Sequence, residues 1–265
     1  MSLFSAFRPA LLCLAAALAA PLVASPILYY TPAWTSNGLG QPSSNAFTTA
    51  VTNAFGAGNV IEIPTFDNAA DFDDGAALFV NARQGIDSLS AAEQSNLLNF
   101  INAGGAVFFI GDHASWTTWD NSFLNLFGDT FQGWGGVGVA SRAGSAPAAF
   151  ASTPSVLLTA PGAIAGGNGT PLFVRGGTTQ KMAALYGPLD NAIAFLDTNA
   201  FSGTTNPALY GAIGSWLFET ASAYELAKQT AGNPGSGNTV PDAMPVLAIA
   251  PVLFGLAWFR RRVRV

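Results

Sequence analysis

The residues best suited to acid–base chemistry follow two apolar runs of the sequence. Asp112 and His113 come directly after "AVFFIG", and Asp197 comes directly after "AIAFL". A carboxylate at such a place could act as a general base or bind a cation, and the imidazole could carry a proton or bind a ligand. The same residue types also cap turns and hold loops, so a catalytic and a structural interpretation are both open for Asp112, His113 and Asp197.

Four further residues are candidates for binding a ligand. Asn81 follows another apolar run, and Asn199 lies just beyond the last one. Trp116 and Trp119 lie in "ASWTTWD", where an indole face could pack against a sugar ring or against the loop itself. The sequence therefore predicts ligand-binding roles for these four residues, with loop packing as the alternative for the two tryptophans.

The candidates lie at the ends of strand-like segments that alternate with helix-like ones. Apolar residues recur at helical spacing in "NAFTTAVTNAF", and Ser90 forms a capping box with Glu93 before a second helix. Strand-like runs cover residues 26–30, 59–64, 76–82, 106–110, 181–187 and 192–197. This alternation predicts a doubly wound α/β sheet, which binds ligands beyond the carboxyl ends of its strands.

Two other stretches complete the predicted body. Residues 132–180 show little periodicity and many Gly, Ala and Pro residues, so we expect a long excursion with about two short strands. Asn206-Pro207 has the composition of a helix start and predicts a last helix after the sixth strand-like run.

Three pieces of the body occur in an order that resembles a known superfamily: "LSAAEQSNLLNFINAGGAVFFIGDH", "FLNLFGDTF" and "AIAFLDTNAFSG". Residues 26–229 are similar to the class I glutamine amidotransferases and their ThuA-like relatives. The resemblance implies a flavodoxin-like fold with a doubly wound, mostly parallel sheet. An amidotransferase needs a nucleophilic cysteine, and the only cysteine of the chain, Cys13, lies outside this body. We therefore expect no glutaminase activity.

The charge of the body bounds its partners. All but one of the fifteen acidic residues, but only five of the ten basic ones, lie between residues 26 and 240. The resulting charge of about −9 repels nucleic acid and anionic lipid, so no nucleic-acid partner is predicted. Because the body has one histidine and no cysteine, no metal and no cofactor is predicted.

The first 24 residues have the layout of a secretory signal peptide. Arg8 precedes an apolar run over 11–20, and small residues follow it. The run is too short to span a membrane, and we expect signal peptidase to cut after Ala24 and remove Cys13. An uncleaved anchor is the alternative.

The C-terminal segment 240–265 combines an apolar run with a basic end. No charged residue lies over 243–259, and Arg260, Arg261 and Arg262 follow at once. Such a run is near the lower limit for crossing a hydrocarbon core about 30 Å thick, and flanking basic residues stay in the cytoplasm. We predict a transmembrane helix over 243–259 and a basic tail over 260–264. A flexible spacer over 230–239 joins them to the body.

This C-terminus resembles the PEP-CTERM sorting signals that exosortases process in Gram-negative bacteria. Val240, Pro241 and Asp242 stand where that family has its short Pro-Glu-Pro-like motif, with Asp replacing the usual Glu. The resemblance implies that an exosortase is a partner. A plain C-terminal membrane anchor is the alternative.

These features predict a protein exported across the inner membrane of a Gram-negative bacterium. It is anchored with a cytoplasmic C-terminus and then directed to the cell surface or the extracellular matrix. The lack of a cysteine nucleophile favours a non-catalytic binding or structural domain, with extracellular polysaccharide as a candidate partner. The alternatives are a carbohydrate-active or other hydrolytic enzyme that uses Asp112, His113 and Asp197, and a purely structural surface protein.

Overall fold

Eleven strands and four α-helices make up the part of the chain that the structure describes. The computed structural model describes residues 26–32, 37–83, 87–134 and 136–231. The strands are β1 (Ile27–Tyr30), β2 (Val60–Ile63), β3 (Ala77–Val80), β4 (Ala106–Gly111), β5 (Thr130–Trp134), β6 (Gly138–Arg142), β7 (Ser155–Leu158), β8 (Gly162–Ala165), β9 (Thr170–Arg175), β10 (Lys181–Tyr186) and β11 (Ala192–Leu196). The helices are α1 (Asn45–Phe55), α2 (Ala91–Asn102), α3 (Thr117–Leu124) and α4 (Pro207–Ala231).

One half of the sheet is parallel. Strands β2, β1, β3, β4 and β11 are neighbours in that order, and each pairs with the next in parallel. Counting β11 as the fifth strand, this is the 2-1-3-4-5 order of flavodoxin-like doubly wound sheets. The predicted α/β class with a mostly parallel central sheet is confirmed.

The other half of the sheet is antiparallel and richer in strands than the sequence suggested. Beyond β11 the order continues β10-β9-β6-β7, and β8 joins β10 to β5. Between residues 130 and 175 the structure has five strands, so the expectation of about two was too low. Each of these strands has only four to six residues, and a stretch this short shows little alternation that could be read from the sequence.

Helices cover both faces of the parallel half. On one face, Phe79 of β3 stacks on Phe108 of β4, and Phe47 of α1 packs against Phe79. On the other face, Trp119 and Phe123 of α3 stack on Phe109. Adjacent residues of a strand point to opposite faces, so β4 carries aromatic packing on both sides and forms the centre of the core.

The predicted capping box is confirmed at the start of α2. The Ser90 hydroxyl accepts the Glu93 N–H at 3.2 Å, and the Glu93 carboxylate accepts the Ser90 N–H at 2.8 Å. The helix ends before Gly104, whose φ of +101° lies in the left-handed region that favours glycine. The chain then enters β4 at Ala106.

The chain divides into two compact units, Met1–Tyr224 and Glu225–Val265. Of the second unit the structure describes only the last turns of α4, where Lys228 pairs with Glu225 at 3.1 Å. The helix continues to Ala231, so the first two residues of the predicted spacer are helical. Among the described residues no helix is long and apolar enough to span a membrane. The predicted signal peptide, transmembrane segment and sorting motif all lie outside the described residues.

Candidate functional site

The carboxyl ends of β4 and β11 bring two of the predicted site residues together. Leu196 pairs with Gly111 in the parallel register of the two strands, so Asp197 and Asp112 follow as neighbours. Gly111 is required here by close approach, because a Cβ on it would overlap the carboxylate of Asp120 and the side chain of Leu196. The strand direction that the sequence predicted therefore places both aspartates at one edge.

Asp197 is fully buried and is used to hold two loops. One carboxylate oxygen accepts the Thr159 N–H at 2.7 Å, and the other accepts the Asn199 N–H at 2.9 Å. Burial raises the pKa of Asp197 to about 6, against the lowering effect of the Thr159 N–H, and the nearby charge of Asp112 raises it further. Both oxygens already have partners inside the protein, which is typical of a structural carboxyl.

Asp112 and Asp120 form a second carboxyl pair beside Asp197. The Asp112 N–H donates to Asp120 Oδ1 at 3.1 Å, and the Thr198 hydroxyl donates to Asp112 Oδ2 at 2.7 Å. The remaining oxygens, Asp112 Oδ1 and Asp120 Oδ2, are buried without a hydrogen bond of normal geometry. We call Asp112, Asp120 and Asp197 the strand-end cluster.

Burial is the main influence on the first two members of the cluster as well. It raises the pKa of Asp112, although the hydrogen bond from Thr198 and the neighbouring His113 act in the opposite direction. It raises the pKa of Asp120 well above the ordinary range, and the charge of Asp112 adds to this effect. Low pH and burial therefore both favour the neutral, protonated form of these carboxyls.

The antiparallel half of the sheet covers the strand-end cluster. Gly162 at the start of β8 lies against the Asp112 carbonyl and the side chains of Phe131 and Leu196, with no space for a Cβ. Asp112 is only 4% exposed and Asp197 is 0% exposed. The sequence predicted that Asp112 and Asp197 could act on a ligand at this edge, and this expectation is corrected, because both carboxyls are buried.

His113 and Trp116 lie at the surface side of this region. His113 is partly exposed and caps the short 3-10 helix Ala114–Trp116, where its Nδ1 accepts the Ser115 N–H at 3.2 Å. Trp116 is also partly exposed and packs against the edge of the core. Of the predicted residues around Asp112, these two are within reach of a ligand from solvent.

Trp119 and Asn81 are buried, and their polar groups bond to the backbone of the protein itself. Trp119 has no exposed surface, and its indole N–H donates to the Ile110 carbonyl at 2.8 Å, so its indole face cannot pack against a sugar ring from solvent. Asn81 is fully buried and ties the segment at Leu39, where its amide accepts the Leu39 N–H and donates to the Leu39 carbonyl, each at 2.9 Å. Asn199 is partly exposed, next to Asp197.

Arg83 is a neighbour of this edge that the sequence did not single out. Its guanidinium pairs with the Glu93 carboxylate and lies over the rings of Tyr30 and Trp119, with the Arg83 Cζ 4.9 and 5.2 Å from the two ring centroids. Loss of hydration lowers the pKa of Arg83, but Glu93 outweighs this effect and raises it. Arg83 therefore links Glu93 of α2 to Tyr30 at the end of β1, through an ion pair on one side and a cation–π contact on the other.

A second buried carboxyl lies in the antiparallel half and was also missed. Asp129 accepts the Asn168 N–H at 3.1 Å, the Gly169 N–H at 3.0 Å, the Tyr186 hydroxyl at 3.0 Å and the Lys181 ammonium at 2.8 Å. Burial by itself would raise the pKa of Asp129, but these donors, Lys181 first, lower it below the ordinary value. We call Asp129, Lys181 and Tyr186 the Asp129 cluster.

The sequence carried only a faint signal for the Asp129 cluster. Lys181 is the first residue of the apolar run "KMAALY", and a lysine that opens a buried strand needs a partner. Nothing in the local sequence shows that this partner is Asp129, which is 52 residues away. In the described part of the chain, no group of three or more His, Cys, Asp or Glu side chains is arranged to hold a metal ion.

Comparison with known proteins gives a fold and no family. No protein-family model and no curated protein matches the chain. Among solved structures, the mmIFT52 N-terminal domain superposes with a TM-score of 0.55 and 10% identity, over 72% of this chain and 97% of that one. A GMP synthase-like protein from Thermoplasma acidophilum gives a TM-score of 0.53 and 12% identity, over 77% and 98%.

A ThuA-like protein from Bacteroides uniformis is a weaker match, with a TM-score of 0.45 and 12% identity over 72% of this chain and 90% of that one. At such identities a structural likeness shows the fold alone. The chain therefore has an α/β domain whose fold is similar to those of the two structures with TM-scores of 0.55 and 0.53.

Proposed function

We propose that this chain is an exported, envelope- or matrix-directed protein whose α/β domain is a non-catalytic binding or structural component. It remains tethered by its C-terminal apolar segment until an exosortase cuts near Pro241. The proposal of export rests on the sequence patterns at the two ends of the chain. The proposal of a non-catalytic domain rests on the strand-end cluster.

The observation that carries the second part is the state of Asp197. Flavodoxin-like sheets bind ligands beyond the carboxyl ends of their strands, near the reversal in strand order. Here that edge holds a fully buried carboxylate whose two oxygens accept N–H groups from the loops that cover it. A catalytic carboxyl needs access to substrate, and these contacts give Asp197 a structural task instead.

Export and tethering are tested by comparing two chains in a host that carries an exosortase. A chain truncated after Asn238 is expected in the soluble secreted fraction, whereas the full chain is expected with the membrane or envelope. Equal membrane retention of both chains would refute the anchoring role. Mass spectrometry of the mature full chain is expected to show a cut near Pro241, and an intact end bearing Arg260–Arg262 would leave only a plain anchor.

Hydrolysis is the second candidate, and one observation favours it. Asp112 Oδ1 is buried without a hydrogen bond of normal geometry, beside a partly exposed His113. A carboxyl with a raised pKa next to an imidazole is an arrangement that enzymes use for acid–base catalysis.

The two candidates differ in the expected behaviour of a histidine variant. The purified chain is assayed against chromogenic glycosides and esters, together with His113→Ala and the surface control Thr118→Ala. We expect no turnover by any of the three, and His113→Ala is expected to keep the melting temperature of the parent. Turnover that is lost in His113→Ala but kept in Thr118→Ala would establish the hydrolase instead.

A further inference from the structure

An open groove of about 570 Å³ lies on the antiparallel half of the sheet, away from the residues that the sequence singled out. It is bordered by β5, β8, β9 and the start of β10. The side chains and glycines at its walls share a polar, uncharged character: Gln132, Gly166, Gly167, Thr178, Thr179 and Gln180. Its volume falls within the range of about 300 to 1,000 Å³ that is typical of small-ligand sites.

The groove offers no unpaired positive charge to an anion. Lys181, the one cation among its lining residues, is 6% exposed. Its ammonium donates to Asp129 at 2.8 Å and to the Gly169 carbonyl at 3.2 Å. Its charge is therefore neutralised within the protein.

The backbone N–H groups of the glycine-rich turn at residues 166–169 are also paired within the protein. Successive backbone N–H groups in such a turn can hold a phosphate or a carboxylate. Here the N–H groups of Asn168 and Gly169 already donate to the two oxygens of Asp129, at 3.1 and 3.0 Å. The anion that this turn holds is the protein's own, and the negative net charge of −5 further disfavours an acidic ligand.

What remains at the walls is suited to a neutral ligand with many hydroxyl groups. The amides of Gln132 and Gln180 supply both donors and acceptors. Gly166 and Gly167 are exposed and have no side chain, so a ligand can approach the backbone closely. Pro171 is partly exposed and adds apolar surface against which the C–H face of a sugar ring can pack.

We infer that this groove binds a neutral saccharide. The inference deepens the binding role proposed above and rests on it, but it places the ligand on the antiparallel half and not at the strand ends. Lys181 of the Asp129 cluster is among the lining residues, and the amide and hydroxyl groups at the walls select for uncharged hydroxyls. An acidic saccharide of the same length would have to lose water from its carboxylates with no cation to replace it.

The test measures binding of linear trisaccharides to the full chain by calorimetry, in a detergent without a sugar headgroup. The probes are maltotriose, cellotriose and mannotriose, with trigalacturonate as the acidic control. We expect at least one neutral trisaccharide to bind and trigalacturonate to bind at least tenfold more weakly. No binding of any neutral probe, or equal binding of the acidic one, would overturn the inference.

Two glycines provide a matched pair of variants that locate the site. At both Gly167 and Gly144 a Cβ would meet no heavy atom within 4 Å, and neither residue has a positive φ, so at each position the backbone accepts a side chain without strain. Gly167→Tyr fills the groove and is expected to abolish binding, whereas Gly144→Tyr lies outside the lining and is expected to keep it. Equal affinity of the two variants would show that the saccharide binds elsewhere.

Smaller changes report on the polar wall. Gln132→Ala and Gln180→Ala are each expected to weaken binding about tenfold, since each removes hydrogen bonds worth roughly 1 to 1.5 kcal/mol. Gln41→Ala makes the same change outside the groove and is expected to leave the affinity unchanged. All variants are expected to keep the parental melting temperature. Failure of these binding tests would leave the export and anchoring experiment unaffected, so the two proposals can fail separately.

Discussion

The two buried carboxyl clusters of this domain have opposite electrostatic character. In the Asp129 cluster an ammonium, a phenol and two backbone N–H groups converge on one carboxylate, and its pKa is lowered. In the strand-end cluster three carboxyls lie close together, two of their oxygens lack a partner, and burial raises all three pKa values. The Asp129 cluster stabilises a charged carboxylate, whereas the strand-end cluster favours neutral, protonated carboxyls.

The difference shows that burial alone does not decide the state of a carboxyl. Asp129, Asp120 and Asp197 are all 0% exposed. The cost of removing a carboxylate from water is offset in the first case by a cation and three further donors, and it is not offset for Asp120. The number and charge of the donors therefore separate a structural ion pair from a group that prefers to bind a proton.

The largest expected effect is the loss of the charge on Asp129. Asp129→Asn leaves the Lys181 ammonium buried without its counter-charge, which costs about 3 to 5 kcal/mol of unfolding free energy. The measurement is urea denaturation at neutral pH. Asp190→Asn is the control, because Asp190 is exposed at a φ of 52°, a conformation that asparagine also adopts, and its stability is expected to match the parent. A change at Asp129 no larger than at Asp190 would contradict a charged pair.

An intermediate effect is expected from pH. The pKa of Asp197 rises from 3.8 to about 6 on folding, so the folded state binds more protons between these values and its stability falls as the pH rises through them. Since a tenfold change in proton affinity is worth about 1.4 kcal/mol, the loss is on the order of 3 kcal/mol. Asp112 and Asp120 act in the same direction.

Asp129 gives the opposite slope at lower pH. Its pKa is depressed on folding, so its contribution is present above pH 3.8 and is lost as the pH falls below that value. Denaturation curves from pH 3 to 8 are therefore expected to show maximal stability near pH 4. A monotonic rise of stability from pH 4 to pH 7 would contradict the raised pKa values of the strand-end cluster.

The smallest expected effect is at Asp120. Asp120→Asn keeps the oxygen that accepts the Asp112 N–H and replaces the oxygen that has no partner with an amide nitrogen. We expect a change within about 1 kcal/mol near pH 4, where the carboxyl that the amide replaces is protonated in the folded state, since no satisfied hydrogen bond is lost. The variant is also expected to flatten the decline of stability above pH 4. A loss as large as that of Asp129→Asn would show that Asp120 is charged and paired in the native state.

Much of the parallel half could be predicted from the sequence. Helix α2 is specified locally by the capping box of Ser90 with Glu93 and by the glycines that follow it. Strand β4 is a continuous apolar run because it is buried on both faces, and such runs are recognisable without a structure. The placement of Asp112 and Asp197 at one edge followed from strand direction, whereas their adjacency depends on the pairing of β4 with β11.

The antiparallel half could not be predicted in this way. Strands such as β7 and β8 have four residues each, and β8 is composed of Gly, Ala and Ile, which gives no clear alternation. Their stability comes from pairing with distant strands. Short strands of this kind have no local signal strong enough to separate them from loops.

The candidate site shows the same division. The sequence could name Asp112, His113 and Asp197 as strand-end residues, but it could not show that both aspartates are buried, with Gly162 of β8 against the Asp112 carbonyl and Thr159 bonded to Asp197. It could name Trp119 as an aromatic residue near His113, but not that its indole faces Ile110 in the core. Asp129 was missed because its partner Lys181 is 52 residues away in the sequence. Arg83 was missed because a charged pair 10 residues apart, such as Arg83 and Glu93, is not a recognisable sequence motif.

The sequence by itself determined the α/β class, the ends of α2 and the edge to which the parallel strands deliver Asp112 and Asp197, because these follow from local periodicity, capping and chain direction. Only the tertiary structure decided which carboxyls are charged. That choice depends on donors brought from distant segments, such as Lys181 and Gly169 for Asp129, and on the burial that those segments impose. A carboxylate loses its water, and gains protein donors in place of that water, only when the whole sheet is assembled. No local stretch of sequence therefore shows which carboxyls are charged.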